Sequence, residues 1–367
     1  MPKYTPLVNS LPSTVPFVGP ETQERSRGGH FKARVGANES VFGPSPKAIE
    51  AMAAAAADCW KYGDPENHDL KEALAKHYGV EQSNIMIGEG IDGILGLLAR
   101  MVVQQGTPVV TSLGAYPTFN FHVQGFGGRL VTVPYDGDHE DPVALLDAIV
   151  GEQAPLAYFA NPDNPMGSFH RAETIEQFIR GLPENSLLCL DEAYCEFAPA
   201  DTLPPIDISE TRVIRTRTFS KAYGMAGARI AYAIGHHELV DSFNKVRNHF
   251  GVNRIAQAGA LAALKDQDWL NAVVDQVSES KAAIEEIARD NGLLPLPSAT
   301  NFVTIDCGRD GAFAKRVVEE LAARDVFVRM PFVEPQNRCI RISAGTEQDL
   351  KLVREMLPIA LKSAANA

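Results

Sequence analysis

Long apolar runs, paired cysteines and an excess of basic residues are all missing from this sequence. No stretch reaches the roughly 18 apolar residues that a membrane-spanning helix needs, so we expect no transmembrane segment. The start of the chain has no basic region followed by an apolar one, and we do not expect it to be a signal peptide. The formal net charge is −12, which argues against nucleic acid or an anionic membrane surface as a partner.

The cysteines do not form a recognisable disulfide or metal-binding pattern. No pair has CxxC spacing, and the chain contains five in all, which are Cys59, Cys189, Cys195, Cys307 and Cys339. The nine histidines also lack a spacing to Cys, Asp or Glu that would bind a metal. We therefore predict reduced thiols in a cytoplasmic protein that has no metal site.

The order of apolar runs and helical patterns predicts an α/β fold. From Asn84 to Ile234, short strand-like runs alternate with amphipathic helices, which is typical of a mostly parallel sheet covered on both faces. From Asp266 onward, one long helical pattern precedes a mixed α+β unit. We predict an N-terminal arm without a regular period that forms part of a small domain (1–45), a large domain (46–265) and a small C-terminal domain (266–367).

A lysine follows the strand-like run Arg212–Arg217. Lys221 could condense with an aldehyde if burial or a neighbouring cation lowered its pKa. Alternatively it is a surface lysine, which is the commoner environment for this residue type. The hydroxyls of Thr218 and Ser220 and the guanidinium of Arg229 form a set that binds phosphate. This neighbourhood favours the first interpretation.

Two other strand ends carry groups suited to the same kind of site. The turn Gly88–Asp92 lies between a predicted strand and a predicted helix, where free N–H groups could bind an anion, or it is only a tight turn. Asp191 ends a buried strand, where its carboxylate could hold a protonated ring nitrogen, cap a helix or form a salt bridge. Tyr194 could donate to a phenolate oxygen or simply pack in the core.

A proline-rich turn and two arginines complete the candidates. The prolines of the segment Asn161–Gly167 restrict the backbone so that Asn164 is held in one orientation, although a generic turn is the alternative. Arg341 and Arg329 lie on predicted strands of the second domain. They could clamp a carboxylate or phosphate by bidentate hydrogen bonds, or they could face solvent.

Taken in order, these segments make the chain similar to a known enzyme family. It resembles the class I/II aminotransferases of pyridoxal phosphate (PLP) fold type I, the aspartate-aminotransferase-like fold, and within them the histidinol-phosphate aminotransferase group. The matching motifs are Asn38-Glu39, Phe42–Pro46, Tyr62–Asp64, Gly88–Asp92, Pro117–Phe119, Asn161–Gly167, Asp191–Tyr194, Thr218–Lys221, Gly227–Arg229, Asn301-Phe302 and Arg341–Thr346. The resemblance implies that residues 46–265 form a PLP-binding domain and that two chains form a homodimer with shared active sites.

The resemblance also implies a role for each matching residue. Lys221 would hold PLP as a Schiff base and move protons, and Asp191 would keep the pyridine nitrogen protonated. The other residues expected at the cofactor are Asn164 and Tyr194 at O3′, Phe119 stacked on the ring, Gly90, Ile91, Asp92, Thr218, Ser220 and Arg229 at the phosphate, and Tyr62 reaching that phosphate from the partner subunit. The residues expected at the substrate are Arg341, Arg329, Asn38 and Phe17.

The implied reaction transfers the amino group of histidinol phosphate to 2-oxoglutarate and gives imidazole-acetol phosphate and glutamate. The family's Pro-Tyr, whose Tyr touches substrate, corresponds here to Pro16-Phe17, and loss of the hydroxyl removes a hydrogen bond worth about 0.5–1.5 kcal/mol. An aromatic amino acid aminotransferase therefore stays open as an alternative. A PLP decarboxylase or lyase of the same fold is another, and a non-catalytic PLP-fold binding domain is a third, although that domain would not need Lys221.

Overall fold

A computed structural model of the chain describes residues 2–13 and 18–366, in which helices and strands alternate as the sequence predicts. The helices are α1 (Pro6–Ser10), α2 (Pro20–Arg27), α3 (Pro46–Ala56), α4 (His68–Tyr78), α5 (Gly90–Val102), α6 (Pro117–Gly125), α7 (Pro142–Glu152), α8 (Ala172–Gly181), α9 (His237–Phe243), α10 (Arg254–Leu264), α11 (Gln267–Asp290), α12 (Gly311–Ala323) and α13 (Glu347–Asn366). The strands are β1 (Ala33–Arg34), β2 (Ile85–Gly88), β3 (Pro108–Ser112), β4 (Arg129–Val133), β5 (Leu156–Ala160), β6 (Leu187–Asp191), β7 (Val213–Thr218), β8 (Ala231–Gly235), β9 (Leu294–Pro295), β10 (Phe302–Asp306), β11 (Val326–Phe327) and β12 (Cys339–Ser343). Among the described residues, none of these helices has both the length and the apolar character needed to cross a bilayer.

The central sheet contains seven strands in the order β2-β8-β7-β6-β5-β3-β4. Neighbouring strands from β7 to β4 are parallel, whereas β8 runs antiparallel to both β7 and β2. Strands β5 and β8 are buried along their whole length, which explains why their sequences are uninterrupted apolar runs. The prediction of an α/β fold with a mostly parallel sheet is confirmed.

Helices cover both faces of this sheet, because alternate residues of each strand point to opposite sides. On β5, Leu156 and Tyr158 pack in the core that includes α5 and α6. Ala157 and Phe159 pack in the other core, with α7 and α8. The carboxyl ends of β5, β6 and β7 therefore lie together between two helical layers, which is where ligands of open α/β sheets bind.

A second core is built from the C-terminal strands and helices. Strand β10 pairs antiparallel with β12 and β9, while β1 pairs parallel with β11. Helices α11, α12 and α13 pack on these strands, and Ala33 and Val35 from the N-terminal segment are fully buried among them. The division of the chain into residues 1–45, 46–265 and 266–367 stays a prediction.

The N-terminal segment is more regular than the sequence predicts. Helices α1 and α2 both begin with proline at a first helical position, where its missing N–H leaves no bond unmade. Helix α2 ends at Arg27 and is capped by Gly28, whose φ of 73° is left-handed. In the sequence, only these prolines and this glycine indicate the two helices, because helices this short show no periodic pattern of apolar residues. Helix α10 was also missed, since its alanine-rich sequence lacks contrast between faces.

Candidate active site

A cavity of about 270 Å³ opens at the carboxyl ends of the parallel strands. Asp191 ends β6 and Thr218 ends β7. Because these strands are parallel neighbours, both residues lie at the same edge of the sheet, beside the cavity. The sequence-predicted residues that line the cavity are Ile91, Asp92, Asn164, Asp191, Tyr194, Thr218, Ser220, Lys221 and Arg229. Residues far apart in the sequence are thus brought together around one space.

Lys221 presents a basic amine with a weakened hold on its proton. Burial, and then the nearby guanidinium of Arg341, lower the pKa of Lys221 to about 8. The amine Nζ donates to the main-chain carbonyl of Asn38 over 3.2 Å. A lysine in this state is partly neutral near physiological pH and can act as a nucleophile or base.

Asp191 is a buried carboxylate held in a fixed orientation. It is 5% exposed and accepts hydrogen bonds from the Tyr158 hydroxyl over 2.7 Å and from the Ala193 N–H over 2.9 Å. Burial raises the pKa of Asp191 to about 6, so a cation placed in the cavity would stabilise its ionised form. Tyr158 also lines the cavity, and sequence reasoning missed it because it sits inside the apolar run of β5.

Tyr194 and Asn38 hold each other at the wall of the cavity. The Asn38 amide donates to the Tyr194 hydroxyl over 3.0 Å, and its carbonyl oxygen Oδ1 accepts from the Ser343 hydroxyl over 2.9 Å. Burial raises the pKa of Tyr194 to about 12. The Asn38 side chain is 2% exposed and turned to these two hydroxyls, and its contact with the substrate stays a prediction.

The end of the cavity at helix α5 is built for an anion. Gly90 has a left-handed φ of 77°, and a Cβ built on it would overlap the guanidinium of Arg229. The backbone and this guanidinium therefore approach closely at the first turn of α5, where N–H groups are free. Nη2 of Arg229 also lies 3.8 Å from the carboxylate of Asp92. The hydroxyls of Thr218 and Ser220 lie on the same cavity.

The aromatic wall of the cavity is Tyr116, not Phe119. The prediction that Phe119 stacks on the cofactor is wrong, because its ring is fully buried and packs on the Tyr158 ring with centroids 4.8 Å apart. Tyr116 lines the cavity and donates its hydroxyl to Asp92 over 2.8 Å. The residue before Pro117 stays in the strand-to-helix loop, whereas Phe119 is already inside α6 and faces the core.

The two predicted arginines share a narrow cleft beside the cavity, together with Asn164 and Tyr116. Arg341, from β12, donates through Nη1 to the side-chain oxygen of Asn164, and its buried Nε has no hydrogen-bond partner. Burial lowers the pKa of Arg341 to about 10, so the guanidinium stays charged at neutral pH. Arg329 donates to the main-chain carbonyl of Val18 over 2.9 Å. An anionic substrate group would meet two guanidinium cations in this cleft.

Tyr62 does not line the cavity of the single chain. Tyr62 is 77% exposed, and its ring packs on the ring of Phe250 with centroids 4.8 Å apart. Phe17, with Pro16 before it, lies outside the described residues. The roles assigned to both residues stay predictions.

Comparison with known proteins finds one family model, described as aminotransferase class I and II, that matches residues 32–357. The histidinol-phosphate aminotransferase of Moorella thermoacetica is 32% identical over 97% of this chain and 94% of its own length. The crystal structure of histidinol-phosphate aminotransferase from Sinorhizobium meliloti, in complex with pyridoxal-5′-phosphate, is 55% identical, covers 99% of this chain and 98% of that chain, and superposes with a TM-score of 0.96. An aspartate aminotransferase of Thermus thermophilus, 22% identical over 98% of this chain and 100% of its own, has the same fold with a TM-score of 0.81.

Proposed function

The chain belongs to the class I and II aminotransferases and is a PLP-dependent transaminase, and from that premise we propose that it transfers the amino group of histidinol phosphate to 2-oxoglutarate. The products would be imidazole-acetol phosphate and glutamate, which places the enzyme in histidine biosynthesis. The main support for histidinol phosphate as the substrate is the 55% identity to the Sinorhizobium meliloti enzyme over 99% of the chain. The cleft with two arginines supports it, because the donor carries a phosphate.

The described residues fit PLP on their own chemistry. The cavity holds an amine with a lowered pKa, a buried carboxylate and two hydroxyls. At the end of the cavity next to α5, the guanidinium of Arg229 occupies the space that a side chain at Gly90 would need. Lys221 would bind the aldehyde, Asp191 the ring nitrogen, and Arg229 the phosphate. When bound, PLP supplies an electron-withdrawing ring that takes up the charge left when a substrate carbon loses its proton.

The residues of this chain then position the donor and move its proton. The guanidinium of Arg341 would bind the phosphate of histidinol phosphate, with Arg329 as the second cation of the cleft. The amine of Lys221, with a pKa of about 8, is matched to take a proton from the substrate's Cα and to give it back as an acid near neutral pH. Tyr194, held by Asn38, would donate to the ring oxygen of the cofactor together with Asn164.

We further propose that two chains form a homodimer in which Tyr62 completes the phosphate site of the neighbouring chain. The support is an exposed aromatic patch, in which Tyr62 is 77% exposed, Trp60 80% and Phe250 51%. Large apolar patches on a protein surface mark interaction sites. Free cysteines, four of them buried, support a cytoplasmic location. Sedimentation of wild type and Tyr62→Ala, with PLP affinity measured in parallel, tests the dimer and the role of the tyrosine separately.

Single-turnover spectra of the holoenzyme test the substrate. Histidinol phosphate, phenylalanine, tyrosine and threonine phosphate are mixed separately with the enzyme, and the conversion of the cofactor to its amine form is followed. We expect histidinol phosphate to react fastest and Lys221→Ala not to react. Faster conversion by phenylalanine or tyrosine would make the enzyme an aromatic aminotransferase. Release of carbon dioxide with return of the starting spectrum would make it a decarboxylase.

A further inference from the structure

Behind the cavity, two acidic side chains meet inside the protein where no solvent reaches them. Glu140, at the loop before α7, is 1% exposed, and Asp163, in the loop after β5, is 2% exposed. Glu140 accepts hydrogen bonds from the Ser112 hydroxyl over 2.6 Å and from the Ala160 N–H over 3.1 Å. These donors come from the ends of β3 and β5, so Glu140 is fixed to the central sheet.

Asp163 is fixed just as fully. Its Oδ1 accepts from the Tyr135 hydroxyl over 3.0 Å, and its Oδ2 accepts from the Met166 N–H over 3.0 Å. Every carboxyl oxygen of the pair therefore accepts a hydrogen bond from a neighbour. In addition, the two side chains act on each other: the interaction with Asp163 raises the pKa of Glu140, and the interaction with Glu140 lowers the pKa of Asp163.

Two ionised carboxylates could not share a hydrogen bond, because neither has a hydrogen and their charges repel in a buried site. Burial raises the pKa of both carboxyls, and the charge of Asp163 raises the pKa of Glu140 further. At Asp163 the hydrogen bonds from Met166 and Tyr135, and then the guanidinium of Arg341, oppose the rise. The ring of His170 contacts the main-chain carbonyl of Glu140, but burial lowers the pKa of His170, so it adds no cation at neutral pH. The proton is therefore expected on Glu140, which donates it to the Asp163 carboxylate.

The pair bears directly on the active site through the chain around Asp163. The next residue, Asn164, lines the cavity and accepts a hydrogen bond from Arg341. The main chain of Asp163 donates to the carbonyl of Ser168 over 2.9 Å and accepts from the N–H of Gly167 over 3.1 Å. Side chain and main chain of Asp163 together thus hold the turn that presents Asn164.

We propose that Glu140 and Asp163 share one proton at neutral pH and act as a positioning pair that sets the orientation of Asn164 and keeps a single negative charge behind it. Only the expected effect of the pair on turnover rests on the proposed aminotransferase function. The pair would contribute to turnover through Asn164, without touching substrate or cofactor.

An infrared difference spectrum tests the shared proton without any amine substrate, so its failure is separate from failure of the proposed function. Holoenzyme and its Glu140→Gln variant are compared at pH 8, where ordinary carboxyl groups are ionised. We expect the wild type to show the band of a protonated carboxylic acid that the variant lacks. The matched control, Asp147→Asn, removes an exposed carboxylate from α7 and should retain the band. Absence of the band from the wild type would overturn the proposal.

Single-turnover rates test the positioning role. Glu140→Gln retains a donor toward Asp163, because its amide N–H takes the place of the shared proton, and its rate should stay within about twofold of wild type. Glu140→Leu removes that donor and leaves a buried carboxylate short of a partner, so its rate should fall by about tenfold or more at equal PLP content. Equal rates for the two variants would refute the role. If Glu140→Leu does not fold, a Glu140→Gln rate well below wild type refutes it instead.

Discussion

Replacing Lys221 by methionine should stabilise the cofactor-free protein at neutral pH. Burial, and then the neighbouring guanidinium of Arg341, lower the pKa of this lysine from 10.5 to about 8. A lowered pKa means that the folded state disfavours the ammonium ion, so folding costs free energy wherever the unfolded lysine is protonated. The shift from 10.5 to about 8 corresponds to at most about 3 kcal/mol.

This penalty has a defined pH window. Below about pH 8 both states bind the proton and the whole penalty is present, and between about pH 8 and 10.5 the native state loses its proton first. The stability of wild type should therefore rise with pH relative to the variant across that range, and the difference should vanish above it. Methionine should leave no orphaned acceptor, because the Asn38 carbonyl also accepts from the Asn301 amide, and its flexible apolar side chain fills a similar space.

Urea unfolding of the apoproteins between pH 7 and 10 measures the effect. The matched control is Lys315→Met, which replaces an exposed lysine of α12 and should keep the pH dependence of wild type. If Lys221→Met is not more stable at pH 7, or if its advantage does not shrink as the pH rises, the ammonium is not desolvated and the reasoning is refuted. The same variant should lose covalent attachment of PLP, so stability and activity should move in opposite directions.

Two further substitutions test the ring and phosphate ends of the cavity. Tyr158→Phe removes a donor to Asp191 worth about 1.5–3 kcal/mol. The pKa of that carboxyl, about 6 in wild type, should therefore rise by about one to two units in carbon NMR of the apoprotein, and an unchanged titration would contradict this. Gly90→Ala should lower PLP affinity in equilibrium dialysis by about tenfold, since its Cβ meets Arg229 and its left-handed backbone costs about 1–2 kcal/mol. Gly106→Ala has a similar φ of 81° but open space around it, so it should lose stability and keep affinity; equal affinity losses would count against the anion site.

Residues at strand ends could be located from the sequence because a local pattern marks them. An apolar run that stops at Asp191 indicates both the strand and the edge of the sheet at which it ends, and the β-branched run Val213–Thr218 indicates the neighbouring strand. Parallel strands share that edge, so the sequence alone could place Asp191 and Lys221 around one cavity. The second half of the anion site, a glycine turn before α5, follows from the same rhythm of strand and helix.

The aromatic wall was not predictable to the residue. Tyr116 directly precedes the motif Pro117–Phe119, and either aromatic ring could stack on a cofactor ring. Which one does depends on the residue at which α6 begins, and a shift by one turn of helix moves a side chain from the cavity to the core. Helix ends are the least certain feature of a sequence pattern, so the error falls where the local signal is weakest.

Long-range contacts account for the other difference. The side-chain oxygen of Asn38 accepts a hydrogen bond from Ser343, which is 305 residues away in the chain. Glu140 and Asp163 are acidic residues in polar segments, and their composition favours the surface. Only the tertiary structure reveals that they are buried together. No local period can report such pairings, because they depend on which loops the fold brings into contact.

The position of Val35 in the second core has a consequence for how the enzyme is made. Its N–H donates to the carbonyl of Phe327 over 3.0 Å, and its carbonyl accepts from the N–H of Ser343 over 2.7 Å. The segment around Val35 leaves the ribosome early, but its hydrogen-bond partners are translated near the end of synthesis. The central sheet can already assemble before this segment is bound. Because Asn38 follows Val35 and contacts Lys221, the nascent chain cannot complete its cofactor pocket until almost every residue has emerged.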